Sequence, residues 1–203
     1  MIDRHVLPLL GRLYGPPARL LARAGVAADA VTLGGFALGV LAAGLIAVGA
    51  PLAGLAALLA NRMADGLDGA VARQSGATDR GAFLDIALDF FVYAAIPFGF
   101  ALADPGRNAL AAAALLCAFM GTASSFLAFA VIAARRGRVN TAYPQKGIYY
   151  LGGLTEGTET IACLAAMCLV PAWFPVLAWG FAGLCLLTTL TRWWWGFRLF
   201  AGK

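Results

Sequence analysis

Along most of this chain apolar residues run for about twenty positions at a time, and polar residues gather in short groups between the runs. A bilayer core is crossed by roughly 20 apolar helical residues. The pattern therefore predicts six spanning helices, at residues 30–49, 52–73, 81–103, 108–134, 147–170 and 176–195. Asp29 is placed to cap the first, Ala50 and Pro51 make a tight turn, and Asp104, Pro105 and Gly106 close the third span. Pro171 to Pro175 separates the last two, with Trp173 and Phe174 at an interface. The final span ends in Arg192, three consecutive tryptophans and Arg198, a pattern that anchors a helix at the membrane surface.

Residues 1–26 read differently. Arg4, Arg12, Arg19 and Arg23 stand among leucines and Tyr14, as in a basic amphipathic segment lying in the interface. Pro8, Pro16 and Pro17 should break or bend it, and the one histidine, His5, reads as an interfacial polar residue. The apolar runs are too short and too often interrupted for a signal peptide. The expected architecture is a single all-α integral membrane domain over residues 1–203, with no soluble domain, repeat or long linker.

Composition agrees: 62% hydrophobic and 12% charged residues, with a mean hydropathy of +0.82, exclude ordinary soluble usage. The net charge of +5 is no argument for nucleic acid, because its distribution follows the membrane. Of the 15 basic residues, 13 fall at the two ends or in the connections after the second and fourth spans; Arg62 lies within a helix and Arg107 alone on the other side. The positive-inside rule then places both termini and those connections in the cytoplasm, in a multi-pass protein of the cell's inner membrane. Gly35 and Gly39 form a G-x-x-x-G that suits close packing against a neighbouring helix of the same chain, with a dimer contact as the alternative. Cys117, Cys163, Cys168 and Cys185 lie in apolar spans without metal-ligand spacing and read as packing residues, with no disulfide. Thr122, Ser124 and Ser125 read as hydroxyls bonded within their helix or to a neighbour.

One stretch breaks the apolar rule. With helical residues advancing about 100° each, Asp65, Asp68, Gly69, Ala72 and Arg73 share one face of the second helix, and Gly81, Asp85 and Asp89 share a face of the third. Residues 74–80 read as a polar turn between two stripes that can face each other. An ionised side chain at mid-bilayer costs on the order of 3 kcal/mol or more, so these carboxylates must line a bundle interior or an aqueous cavity. Four neighbouring anions repel one another unless a cation neutralises them, and hard carboxylate oxygens point to Mg²⁺ or Mn²⁺. Arg62, three residues before Asp65, is spaced to orient a carboxylate.

The sequence Asp65-Gly-Leu-Asp68-Gly69-Ala-Val-Ala72-Arg73, followed by Gly81, Asp85 and Asp89, resembles the signature of the CDP-alcohol phosphatidyltransferase family, D-x-x-D-G-x-x-A-R then G-x-x-x-D-x-x-x-D. All eight fixed positions match. The seven residues between Arg73 and Gly81, where eight are commoner, and Ala28-Asp29, where many relatives carry Pro-Asn, are departures that remove no carboxylate. The resemblance implies a metal-dependent transferase that moves a phosphatidyl group from CDP-diacylglycerol to a small polar alcohol and releases CMP. It implies Asp65, Asp68, Asp85 and Asp89 as ligands of Mg²⁺ or Mn²⁺, with two ions expected, and Asp89 as general base for the acceptor hydroxyl. Gly69 and Ala72 would leave room for the nucleotide, and Arg73 would offer donors to a phosphate. A homodimer is compatible with it.

Other readings stay open. Phospho-alcohol transfer from a CDP-alcohol to diacylglycerol uses the same diphosphate motif. An ion or proton transporter would explain the aspartates but not why Gly69, Ala72 and Arg73 share their stripe. For the acceptor, Arg135, Arg138 and Lys146 lie in the loop before the fifth span and suit a phosphorylated alcohol such as a polyol phosphate, although basic residues are expected there on topological grounds alone. Glu156 and Glu159, deeper in that span, instead suit a cationic alcohol or a partner arginine.

Overall fold

The computed structural model describes residues 14–137 and 153–201. They form seven helices and no strand: α1 (14–23), α2 (Ala28–Ala47), α3 (Pro51–Ser75), α4 (Asp79–Ala103), α5 (Pro105–Arg135), α6 (Gly157–Leu169) and α7 (Phe174–Leu199), with a 3₁₀ turn at Pro171–Trp173 before the last. Four stretches, α2, α4, α5 and the run from Pro171 to Leu199, are long and apolar enough to cross a membrane. The chain is a multi-pass membrane protein. α3 has the length, but Arg62, Asp65, Asp68 and Arg73 lower its hydropathy. α6 has only 13 residues, about 20 Å of helix.

Several boundaries differ from those expected, each for a local reason. Asp29 does not cap α2: Ala27 holds that position, and Asp29 lies in the first turn with its carboxylate 2.6 Å from the Arg80 guanidinium of α4. The expected polar turn of residues 74–80 shrinks to Gly76–Thr78. Gly76 leaves α3 at a positive φ of 101°, a conformation that glycine adopts without cost. Thr78 then caps α4 by accepting from the Gly81 amide at 3.0 Å. Residues 14–23 are helical through Pro16 and Pro17, so these prolines do not end the helix; Pro8 and His5 lie outside the described residues.

The fifth span is the largest difference. Its expected first residues, 147–152, lie outside the described residues, and residues 153–156 are not helical. α6 begins at Gly157 because Glu156 and Glu159 form a reciprocal capping box, in which each carboxylate accepts a backbone amide of the other. These acids start a helix where the sequence suggested mid-span polar groups.

α2 is the scaffold. It packs closely against both α3 and α4, whereas the backbones of α3 and α4 approach each other far less. Gly35 and Gly39 make this possible. A Cβ on Gly35 would lie 2.9 Å from the Ala64 Cβ, and one on Gly39 would lie 2.5 Å from a Val92 methyl. The G-x-x-x-G therefore serves packing within the chain, against α3 on one side and α4 on the other. α5 packs along α7 and α4, and α6 bridges α3 and α7. Leu58, Ile96, Leu115, Leu164 and Phe174 form the centre of the core, with Phe100 and Phe174 stacked at 4.5 Å between centroids.

The outer faces carry Leu110, Val131, Val176 and Phe197, all exposed, as suits contact with lipid. Cys168 and Cys185 are core residues as expected, but Cys117 faces outward. Thr122, Ser124 and Ser125 each donate to a carbonyl three residues back in α5.

α1 lies against the C-terminal half of α3. Ala18 packs with Ala70 and Val71 under Tyr14, Leu21 and Leu67, and the Tyr14 ring covers Gly66 so closely that a Cβ there would stand 2.3 Å from it. Burial, with the nearby Asp65 carboxylate, pushes the Tyr14 hydroxyl above its ordinary pKa.

Candidate active site

The two acidic stripes meet across α2. Asp65 and Asp68 of α3, Asp85 and Asp89 of α4, and Thr32 of α2 line one small cavity of about 10 Å³, together with Gly35, Asn61 and Val92. The helical period placed each pair on one face, and the shared packing on α2 turns the faces toward each other.

Each carboxylate has distinct surroundings. Thr32 donates to Asp68 at 2.6 Å and to the Ala28 carbonyl at 3.1 Å, which fixes that carboxylate against the start of α2. Asp68 is buried. Arg62 behaves as its spacing predicted, orienting carboxylates on both helices: its guanidinium donates to Asp89 and stands 3.6 Å from Asp65. It is held from behind by Asn61, which accepts from Nε at 2.8 Å, and by Tyr93, whose hydroxyl accepts at 3.1 Å. The Tyr93 ring lies 5.2 Å under the same guanidinium, close enough for a cation–π contact. Asn61 in turn donates to the Gly35 carbonyl at 2.8 Å. As the side chains stand, no three carboxylate, imidazole or thiol groups among the described residues converge on one point.

This small cavity opens into a cleft of about 1800 Å³. One wall is the motif face of α3 and α4, including Gly69, Ala72, Arg73 and Gly81; the other comes from α5, α6 and α7. A Cβ on Gly69 would meet nothing nearer than an Arg73 terminal nitrogen at 3.5 Å, so the glycine leaves real space beside the aspartates. Thr122, Phe126, Thr155, Glu156, Thr160 and Arg192 also line the cleft.

Arg192 is not the surface anchor suggested by its place beside the tryptophans. It is buried, donates to the Thr122 carbonyl at 3.1 Å and lies over Phe126, whereas Arg198 stacks on Trp194. Of the loop cations expected near the acceptor, Arg135 is exposed at the end of α5 and is not among the described residues lining the cleft. Arg138 and Lys146 lie outside the described residues.

Sequence reasoning gave no role to Thr32, Asn61 or Tyr93 and took Arg192 for a surface anchor. Three of them carried a signal: Asn61 precedes Asp65 by four residues, Tyr93 follows Asp89 by four, and Arg192 is a charge within an apolar run.

The sequence profile of the CDP-alcohol phosphatidyltransferases matches residues 25–196. The chain belongs to the CDP-alcohol phosphatidyltransferase family. The match includes α2 through α6 and most of α7, and so the whole acidic site. Among curated proteins, the chain is 54% identical over 197 residues to the inner membrane protein YnjF of Escherichia coli, covering 97% of this chain and 96% of that one. It is 37% identical over 132 residues to the phosphatidylinositol phosphate synthase of Streptomyces avermitilis, covering 62% of this chain and 54% of the relative.

Two crystal structures of the Mycobacterium tuberculosis phosphatidylinositol phosphate synthase share the fold at 26% identity. The one with CDP-DAG bound superposes with a TM-score of 0.69, covering 92% of this chain and 94% of that one. The one in complex with manganese and citrate superposes with a TM-score of 0.68, covering 91% and 88%. Membership makes this protein a membrane transferase of phospholipid biosynthesis.

Proposed function

We propose that this protein transfers the phosphatidyl group of CDP-diacylglycerol to a small polar alcohol, releasing CMP. The observation that carries the reading is the convergence of Asp65, Asp68, Asp85 and Asp89 on one cavity beside a cleft left open by Gly69 and Ala72. The M. tuberculosis neighbour, solved with CDP-DAG bound, supports the donor, and its complex with manganese supports the metal. The residues present fit such an ion. The donors are carboxylate oxygens, which suit Mg²⁺ or Mn²⁺.

Asp65, Asp68, Asp85 and Asp89 would hold the metal, two ions in all, which neutralises diphosphate charge when bound. The chain's own residues do the rest. Gly69 and Ala72 admit the nucleotide against α3, and Arg73, on the same face, offers its planar donors to a phosphate. Thr32 keeps Asp68 oriented. The acceptor hydroxyl loses its proton to Asp89 as its oxygen attacks the β-phosphorus; the bond from that phosphorus to the oxygen bridging to CMP breaks, and CMP carries the electron pair away. Holding the attacking and leaving oxygens in line is the main contribution the fold can make to phosphoryl transfer.

For the acceptor the reading is a polyol phosphate. The names of the Streptomyces and Mycobacterium relatives support it, as does a cation, Arg192, in the lining of the cleft. Arg135, Arg138 and Lys146 remain candidates for binding the acceptor. Membranes containing the protein are expected to release CMP from CDP-diacylglycerol only with added Mg²⁺ or Mn²⁺ and an acceptor. A panel of alcohols, with the lipid product identified by mass, names the acceptor. Release of CMP from CDP-alcohols with diacylglycerol, and none from CDP-diacylglycerol, would reverse the assigned direction; no CMP release from either would favour a transporter.

The same reading places the site on the cytoplasmic side of six membrane-crossing segments, α2 to α7, in one domain with both termini inside, on the 13-to-one basic asymmetry. Single cysteines at Ser75 and at Gly106, with the native cysteines replaced, are expected to react with impermeant reagents from opposite sides. Labelling of both from one side would overturn this topology.

A further inference from the structure

Arg62 is a cation built into a site whose reaction needs cations of another kind. Its guanidinium donates to Asp89 and lies beside Asp65, and these are not its only holds. Asn61 and Tyr93 accept two of its donors, the Tyr93 ring supports its face, and Asn61 is itself tied to the backbone of α2. The arginine therefore has its own seat behind the cavity and can give up one carboxylate without moving away.

The guanidinium, carried by α3, donates to Asp89 across on α4. We propose that Arg62 is a positioning residue that neutralises the metal-free aspartate site and holds Asp89 in place, then yields that carboxylate to the incoming divalent cation. This inference rests on the metal-binding reading given above.

Two physical consequences follow. An apolar bundle holding four unopposed carboxylates would be strongly disfavoured, and Arg62 removes part of that cost before any metal arrives. A fixed positive charge a few ångströms from the metal position also weakens metal binding, so the site binds and releases its ion more readily than four unopposed carboxylates would. At such distances in a partly buried site one unit charge is worth well over a tenfold change in affinity.

The test is Mn²⁺ binding to the purified full chain in detergent, followed by loss of the free-Mn²⁺ electron paramagnetic resonance signal, with melting curves in EDTA and in Mn²⁺. Arg62→Gln is expected to bind Mn²⁺ at least about tenfold more tightly than the unaltered protein, to melt earlier in EDTA, and to recover most of that loss in Mn²⁺. Arg62→Lys, which keeps the charge, is expected to stay near the unaltered affinity. A merely structural arginine would lower stability in both media and leave the Mn²⁺ affinity unchanged or weaker.

Equal or weaker Mn²⁺ binding by Arg62→Gln, beside clear binding by the unaltered protein, overturns this inference alone. So does aggregation of Arg62→Gln in Mn²⁺ as well as in EDTA, since the metal should take over the neutralising charge. Absence of Mn²⁺ binding by the unaltered protein overturns the metal reading and this inference with it.

Discussion

Asp89→Asn is expected to lower turnover by roughly 100-fold or more, the loss typical when a general base is removed, while CDP-diacylglycerol still binds. The substitution preserves size and shape, and the amide oxygen it introduces can still accept from Arg62, so the link between α3 and α4 survives. What disappears is the group that takes the acceptor's proton, together with one anionic oxygen available to a metal. The measurement is single-turnover CMP release at saturating metal, beside equilibrium donor binding. Turnover within a few-fold of the unaltered protein would remove Asp89 from the role of base. A parallel loss of donor binding would make it a metal ligand only.

Gly69→Leu is expected to abolish most donor binding and leave the fold intact. The two effects separate because a Cβ at this position meets no atom closer than 3.5 Å, an ordinary contact, so the branched side chain projects into the cleft rather than into another helix. If the nucleotide lies along this face, the added methyl groups overlap it, and overpacking of about 1–3 kcal/mol corresponds to a donor KM raised by roughly 5- to 150-fold. Gly39→Leu is the contrast, since its side chain would collide with Val92 and should cost stability first. Donor KM and melting temperature measured on both variants check the pair. A Gly69→Leu protein with an unchanged donor KM would place the nucleotide elsewhere.

What the sequence revealed, and what it hid, divide along the range of the interactions concerned. The acidic stripes were legible because the period of a helix fixes which residues share a face, and Arg62 because three residues separate it from Asp65 on the same helix. The limits expected from apolar run lengths lie within a few residues of the ends of helices α2 to α5 and α7. Neither the Thr32 hydroxyl on Asp68 nor the Tyr93 hydroxyl on Arg62 could be read this way, since each depends on which helices become neighbours. Glu156 and Glu159 misled for a related reason: a carboxylate at a helix start and one buried in mid-span look alike until the start is known. Arg192 misled through its company, because three following tryptophans mark a membrane surface while its own turn of helix faces inward.

The place of α2 between the two halves of the motif has a mechanical consequence. Where Gly35 and Gly39 bring backbone against side-chain stubs, no layer of flexible side chains remains to act as a bearing, and α2, α3 and α4 must move as one stiff piece. The gauge between the paired acids is then set by a helix that contributes none of them. A substitution in α2 that thickened it by a single methyl group would spread the jaws of the site without touching a reacting atom.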